Sequence, residues 1–279
     1  MSAWTKKTNL PFIDNQKKRK MKFLKFLLPL SLVLCFAGCL DIDENVQVNK
    51  DGSGKWAVNT DMSQMIDLLQ TYMGKDEMAK KGMQKMDTTI YMKDLVDTLS
   101  SLSAEKKALL RPGSIHIKLD VDAKVFTTHM SFPFTSQANL EKLYSAMNDG
   151  SMSSTRLLKG LTPGGDQPAQ PDQASGGGPD IGQFNNVYDF TCKDGLMARH
   201  LNQDKWKALM NDPQIAQVKQ ASQMGMDISY TTVIQVPRPI KKVDNPLAKL
   251  SDDKKTVTIK YNLMDMFDHP EQFSYNIEY

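Results

Sequence analysis

The sequence has few of the residues that metal sites, disulfides and common catalytic motifs require. Its 279 residues include three cysteines and four histidines. Two of the cysteines, Cys35 and Cys39, lie close to the N-terminus, so Cys192 stands alone in the rest of the chain and cannot form an internal disulfide. The sequence contains no GxSxG, HExxH or Walker-type glycine motif. We therefore expect no metal and no cofactor, and we assign no catalytic residue.

Long apolar runs are also missing. The longest, Phe26 to Phe36, has eleven residues and contains Pro29, whereas a membrane-spanning helix needs roughly 20. A basic stretch that begins at Met21 precedes this run, and the small residues Ala37 and Gly38 follow it. This order is typical of a secretory signal peptide. We expect no membrane-spanning helix in the remainder of the chain.

The end of this leader resembles the lipobox of bacterial lipoproteins. Phe36-Ala37-Gly38-Cys39 matches it at three of four positions, with Phe36 where leucine is usual. The resemblance implies that residues 1–38 are removed and that Cys39 carries acyl chains such as palmitate. The alternative is an ordinary signal peptide with an incidental cysteine. Residues 1–20 are either an extended basic region or lie upstream of a true start at Met21, and we favour the second reading.

The basic character of the sequence belongs mostly to this leader. Eight of the 35 Lys and Arg residues and one of the 32 Asp and Glu residues lie within residues 1–38. The remaining 27 basic and 31 acidic residues make the exported part mildly acidic. Such a charge gives no electrostatic basis for binding nucleic acid.

Residues 39–45 are interpreted as a lipidated tether. Leu40–Asn45 contains three acidic residues, and it resembles the acidic export signals that follow the lipidated cysteine in some Bacteroidota lipoproteins. A short polar tether is the alternative.

Four later segments share one local plan, in which two short alternating runs flank a turn and a helical pattern often follows. Asp-Gly turns between such runs favour hairpins, and one apolar face per run is typical of an antiparallel sheet. The paired runs are Val46–Asn49 with Lys55–Thr60, Ile115–Val121 with Phe126–Phe134, Tyr188–Cys192 with Leu196–Leu201, and Ile228–Val236 with Val257–Tyr261. We predict an α+β fold with a twisted antiparallel sheet of about eight strands, covered by amphipathic helices.

Two segments interrupt this plan. Residues 76–110 read as helical, with recurrent methionine and leucine. Residues 160–182 contain seven glycines and four prolines without an aromatic residue, which is typical of a flexible linker or an inserted loop. This segment divides the α+β part into a first half, 46–159, and a second half, 183–279. Whether the halves are separate domains is left open.

The C-terminal stretch Ile228–Phe267 resembles the LppM-like domain of bacterial envelope lipoproteins. A strand there ends at Val236-Pro237, a polar loop follows, and Thr256–Tyr261 forms the next strand pattern. The resemblance implies an α+β fold with envelope or lipid-binding roles and no established enzyme activity. It transfers no functional residue.

Few other side chains suggest chemistry. If Ile117 pairs with Met130, then His116 and His129 lie diagonally on a wet sheet face with Asp120 nearby, where they could hold a metal, but exposed strand histidines are far commoner. Cys192 could be a reactive thiol, although its position on an apolar strand face favours burial. Methionines crowd residues 62–86. They either form an adaptable lipid- or protein-binding surface or fill a helical core, and we favour the core.

The sequence therefore predicts a membrane-anchored lipoprotein of the cell envelope, with the outer membrane as its expected location. We expect a non-catalytic binding module whose partner is a lipid or an envelope protein, in addition to the membrane that holds Cys39. The alternative is an envelope hydrolase with dispersed catalytic residues.

Overall fold

The structure is a computed structural model that describes residues 40–80, 83, 85–99, 102–148, 184–223 and 227–279. The predicted leader, Cys39 and the segment 160–182 lie outside the described residues.

The first half of the described chain forms two hairpins and several helices. Its elements are β1 (Leu40–Val48), β2 (Gly54–Asp61), α1 (Ser63–Lys80), β3 (Met86–Tyr91), α2 (Met92–Val96), α3 (Ala104–Leu110), β4 (Ser114–Asp120), β5 (Val125–Phe134) and α4 (Gln137–Asn148).

The second half adds further strands and short helices. Its elements are β6 (Tyr188–Lys193), β7 (Leu196–Leu201), α5 (Gln203–Met210), α6 (Pro213–Gln223), β8 (Ile228–Gln235), β9 (Lys242–Val243), β10 (Ala248–Leu250), β11 (Thr256–Asn262), two 3₁₀ turns (Leu263–Phe267 and Pro270–Phe273) and β12 (Tyr275–Glu278).

The main sheet has eight strands in the order β10-β11-β8-β1-β2-β5-β4-β3. Its neighbours are antiparallel except for β1 and β8, which are parallel. The predicted α+β class and the strand number are confirmed. A second sheet of four strands, in the order β6-β7-β12-β9, was not predicted.

All four predicted hairpins have their expected strand partners. Their turns place Gly52, Lys124 and Gly195 at positive φ, a conformation that glycine adopts without steric cost. Polar side chains also accept backbone N–H groups at the start of the helices that follow three of these hairpins. Asp61 accepts the backbone N–H of Ser63, and Ser136 and Asn202 cap α4 and α5 in the same way.

The prediction that residues 76–110 are helical throughout is wrong. Between α1 and α2 the chain forms β3, the edge strand beside β4. Thr88, Thr89 and Ile90 are β-branched, which favours an extended backbone. The methionine and leucine spacing dominated the sequence pattern and concealed these three residues.

The interpretation of residues 39–45 as a tether is also wrong from Leu40 onward. Leu40 begins β1, which lies inside the main sheet between β2 and β8. Leu40 and Ile42 are both buried. The acidic residues that suggested a tether alternate with these apolar ones, which is the pattern of a half-buried strand.

The two halves of the chain form one folded unit. The parallel pairing of β1 with β8 joins strands from both halves within a single sheet. Strands from either side of residues 160–182 therefore belong to the same sheet.

The described helices include none with the length and apolar character needed to cross a bilayer.

Candidate functional site

The inner face of the main sheet, which we define as the face that carries Leu40 and Ile42, contains a buried carboxylate. Glu44 is only 1% exposed. Its Oε1 accepts hydrogen bonds from Trp56 Nε1 at 2.9 Å and from the Tyr144 hydroxyl. Its Oε2 accepts from the Tyr230 hydroxyl at 3.1 Å and from Thr232 Oγ1 at 3.3 Å. Four donors thus replace the water that a carboxylate loses on burial.

Arg199 on β7 is the buried cation of the same region, at 3% exposure. Its Nη2 donates to Asn185 Oδ1 at 2.9 Å, and its guanidinium carbon lies 4.2 Å from the centre of the Tyr188 ring. Burial alone would lower the Arg199 pKa, but nearby tyrosines and Glu44 raise it above its ordinary value. Arg199 is therefore charged.

Buried tyrosines surround these two charges. Burial, followed by the negative charge of Glu44, raises the pKa values of Tyr144, Tyr230 and Tyr275 well above 10. Each hydroxyl therefore remains protonated and able to donate. Tyr144 and Tyr230 donate to Glu44, whereas the Tyr275 hydroxyl is buried without a hydrogen-bond partner among the described residues.

We call Glu44, Arg199 and these aromatic and hydroxyl neighbours the Glu44 cluster. Its hydrogen bonds connect β1, β2 and α4 of the first half to β8 of the second half. Because every carboxylate oxygen of Glu44 is already occupied by donors, the cluster is arranged to fix the two halves against each other.

Sequence reasoning missed the Glu44 cluster, although the sequence contains a signal for it. In β1 the buried positions are Leu40, Ile42, Glu44, Val46 and Val48. A carboxylate at the centre of an otherwise apolar alternation indicates a buried, hydrogen-bonded charge. The acidic composition of residues 41–44 directed attention to a tether instead.

The opposite, outer face of the main sheet is polar. Most outer side chains of β1, β2, β4 and β5 are exposed or half-buried. Near the end of the sheet where β1 begins, this face contains an open groove of about 350 Å³. We call it the outer-face groove, and it is lined by Asp41, Asp43, Asn59, Thr60, Asp61, His116, Thr127, Thr128 and His129.

The two predicted histidines both line this groove, but in a different arrangement from the one expected. Met130 pairs with Ile115 and not with Ile117, so His116 and His129 lie directly opposite each other. The predicted strand register was wrong by two residues, which keeps the same faces buried, because the length of the intervening turn cannot be read from the alternation alone.

Neighbouring polar groups orient both imidazole rings. His116 Nδ1 lies 3.0 Å from Thr89 Oγ1, and its Nε2 lies 3.4 Å from Asp87 Oδ1. His129 Nδ1 is within hydrogen-bond distance of Asn59 Oδ1. Partial burial lowers the pKa of His129, and the nearby positive charge of Lys55 lowers it further. His129 is therefore neutral at pH 7 and available for hydrogen bonding.

Asp120 does not join the histidines. Its carboxylate accepts the backbone N–H groups of Asp122 and Ala123 and forms an ion pair with Lys85 at 2.8 Å. Across the described residues there is no group of three or more His, Cys, Asp or Glu side chains with a geometry that could hold a metal. The two histidines thus lack the third ligand that the metal hypothesis needed.

Cys192 lies in the core, as the sequence favoured. It is a free, buried cysteine, and burial raises the pKa of its thiol to about 12. Such a thiol is protonated at neutral pH and is a poor nucleophile.

The methionines of residues 62–86 mostly fill a core. Met78 is buried with Ile66 and Leu119, and Met73 and Met83 are among the half-buried residues that pack around this group. Met65 is the exception, because it is 38% exposed. The core interpretation fits this packing better than a broad methionine-rich surface.

Predicted lipidation at Cys39 lies outside the described residues. Of the other residues singled out in the sequence, the structure brings together the two histidines, buries Cys192 and separates Asp120 from the histidines.

Comparisons with known proteins place few constraints on this chain. No family model and no curated protein matches it. Among solved structures, the NMR structure of the folded domain of LppM from Mycobacterium tuberculosis aligns at 7% identity with a TM-score of 0.36, covering 87% of this chain and 91% of that domain. A similarity this low carries no argument about fold or function. The resemblance of Ile228–Phe267 to the LppM-like family stays a prediction.

Proposed function

We propose that this chain is a non-catalytic binding protein of the cell envelope. Acyl chains on Cys39 hold it at a membrane, for which the outer membrane is the proposed location. The ligand is a partner protein that contacts the outer face of the main sheet.

The observation that carries this proposal is the outer-face groove. An antiparallel sheet commonly has one face in a core and one in water, so a wet face alone needs no explanation. Here the wet face is also concave, and Asp41 and Asp61 lie directly opposite each other across two strands. Like charges in this arrangement are destabilising, and such costs in a fold often occur where a surface serves binding.

The chemistry of the groove favours a protein over a lipid acyl chain. Its lining consists of carboxylate, amide, hydroxyl and imidazole groups. Such groups match the polar and basic side chains and the backbone of a partner protein, as in the polar part of a typical interface. The methionines that suggested lipid binding are largely used in packing around Ile66 and Met78.

The anchor part of the proposal rests on the leader. A basic region, a short apolar run and Ala37-Gly38-Cys39 follow one another as lipoprotein processing requires. Each acyl methylene buried in a bilayer contributes about 0.8 kcal/mol, so several chains together give durable attachment.

A pair of charge-reversal variants tests the binding proposal. Asp43→Lys alters the groove, while Asp252→Lys makes the same charge change at an exposed turn that does not line the groove. The full-length protein, expressed in its native envelope, is cross-linked in place and the attached proteins are identified by mass spectrometry. We expect one partner to be captured by the wild type and by Asp252→Lys, and its yield to fall at least about tenfold with Asp43→Lys, since a buried charge contact contributes about 1.4 kcal/mol or more.

Equal capture by all three proteins would contradict binding at the groove. If a specific lipid is recovered and no protein is, the proposal of a partner protein is wrong.

A further inference from the structure

The predicted lipid site, Cys39, directly precedes in sequence the first residue that the structure describes. Leu40, which directly follows Cys39, is the first residue of β1, pairs with Ile228 and is only 5% exposed. Consecutive Cα atoms are about 3.8 Å apart. An acylated Cys39 would thus have no flexible tether, and the end of the sheet where β1 begins would be held against the bilayer surface.

Helix α1 starts at this same end. Asp61, the last residue of β2, pairs with Asp41. The next residue, Met62, donates its backbone N–H to the Phe126 carbonyl at 2.8 Å, and Phe126 donates its own N–H to Ser63 Oγ at 3.1 Å. The turn between β4 and β5, residues 121–124, also lies at this end, because β5 runs from it toward Phe134.

Polar contacts hold α1 against that turn. Gln70 Nε2 donates to the Val121 carbonyl at 2.5 Å. Ion pairs join Lys75 to Asp122 at 2.8 Å and Lys124 to Asp67 at 2.5 Å. These contacts keep α1 at the end of the sheet where β1 begins.

One face of α1 exposes large apolar side chains. Tyr72 is 84% exposed and Met65 is 38% exposed. They are seven residues apart, which places them on the same side of the helix, close to two full turns apart. Ile66, on another side of α1, is buried against Leu119. The apolar surface of this helix therefore extends beyond the part that the core covers.

We propose that the face of α1 with Met65 and Tyr72 lies in the headgroup region of the bilayer that receives the acyl chains. This rests on the proposed acylation of Cys39, which brings this end of the molecule to the membrane. Tyrosine is well suited to that position because its ring is apolar and its hydroxyl reaches polar groups. The contact depends on apolar side chains and not on an ion pair with a lipid headgroup.

Two exposed tyrosines at opposite ends of the main sheet provide the test. Tyr72 lies on α1, whereas Tyr91 is 55% exposed and pairs with Ser114, at the end of β4 remote from the turn 121–124. Tyr72→Cys and Tyr91→Cys are made in the full-length acylated protein and labelled with a nitroxide. Cys192 is buried with a thiol pKa of about 12 and reacts poorly.

Labelled protein is reconstituted into phosphatidylcholine vesicles, with and without phosphatidylglycerol. We expect the ratio of oxygen to water-soluble nickel accessibility to be several-fold higher at position 72 than at position 91, in both lipid mixtures. Flotation with the vesicles reports anchoring separately.

If the protein floats but both labels are equally accessible to nickel, the α1 contact is wrong and the anchor stands. If the protein carries no fatty acid and does not float, the anchor and the α1 contact are both overturned.

Discussion

Glu44 is a buried carboxylate surrounded by four hydrogen-bond donors. Its carboxylate accepts from Trp56, Tyr144, Tyr230 and Thr232, and these donors come from both halves of the chain. Hydrogen bonds to a charged group contribute about 1.5–3 kcal/mol each, and leaving a buried polar group unpaired costs a similar amount. A hydroxyl that donates to Glu44 is thus expected to stabilise the fold more than a buried hydroxyl without a partner.

Tyr230→Phe and Tyr275→Phe separate these contributions at matched sites. Both tyrosines are buried and both changes remove a single hydroxyl, but Tyr230 donates to Glu44 while the Tyr275 hydroxyl has no partner in the described part of the chain. We expect Tyr230→Phe to lower the free energy of unfolding in urea by about 1.5–3 kcal/mol. Tyr275→Phe is expected to change it by less than about 0.5 kcal/mol or to raise it. The reverse order would show that the hydrogen bonds of Glu44 are not what stabilises this region.

The hairpins could be predicted because the alternation of apolar and polar residues that defines each one lies within a short stretch of sequence. Ile115, Ile117 and Leu119 alternate with polar residues, and all three are buried as that pattern indicates. The register of this hairpin could not be predicted, since it depends on a turn with Lys124 at positive φ. The edge strand β3 was hidden by methionines, which pack equally well from helices and strands.

The second sheet and the groove lay beyond sequence reasoning for another reason. The strand β12 contacts β7 and β9, which come from distant parts of the chain. The groove brings Asp41 of β1 together with His129 of β5. Neither pairing leaves a local pattern, so only the topology of the complete sheet reveals them.

The role of β1 as a central strand leads to a prediction about truncation. A chain that begins at Leu40 keeps β1 complete, while one that begins at Asn45 loses the buried residues Leu40, Ile42 and Glu44. Removing a buried leucine or isoleucine side chain costs about 2–5 kcal/mol, and a whole domain is stabilised by only about 5–15 kcal/mol. We expect the longer chain to unfold cooperatively in a thermal melt and the shorter one to show no cooperative transition. Equal melting of the two would contradict the placement of β1 inside the sheet.

The main sheet has two faces, and the proposed lipid anchor at Cys39 directly precedes the strand β1. The inner face of the main sheet carries the core and the Glu44 cluster, and the outer face carries the groove. With Cys39 acylated as proposed, β1, which enters the sheet at Leu40, would fix the distance of both faces from the membrane. The groove lies near this same end, because Asp41 and Asp43 are the second and fourth residues after Cys39. A partner bound there would be held near the headgroups of the membrane.

Mass spectrometry of the N-terminal peptide of the protein, isolated from native envelope membranes, tests the central claim most directly. The account predicts that this peptide starts at Cys39 and carries fatty acid on that residue. A peptide that starts at any other residue, or that starts at Cys39 without fatty acid, would contradict it.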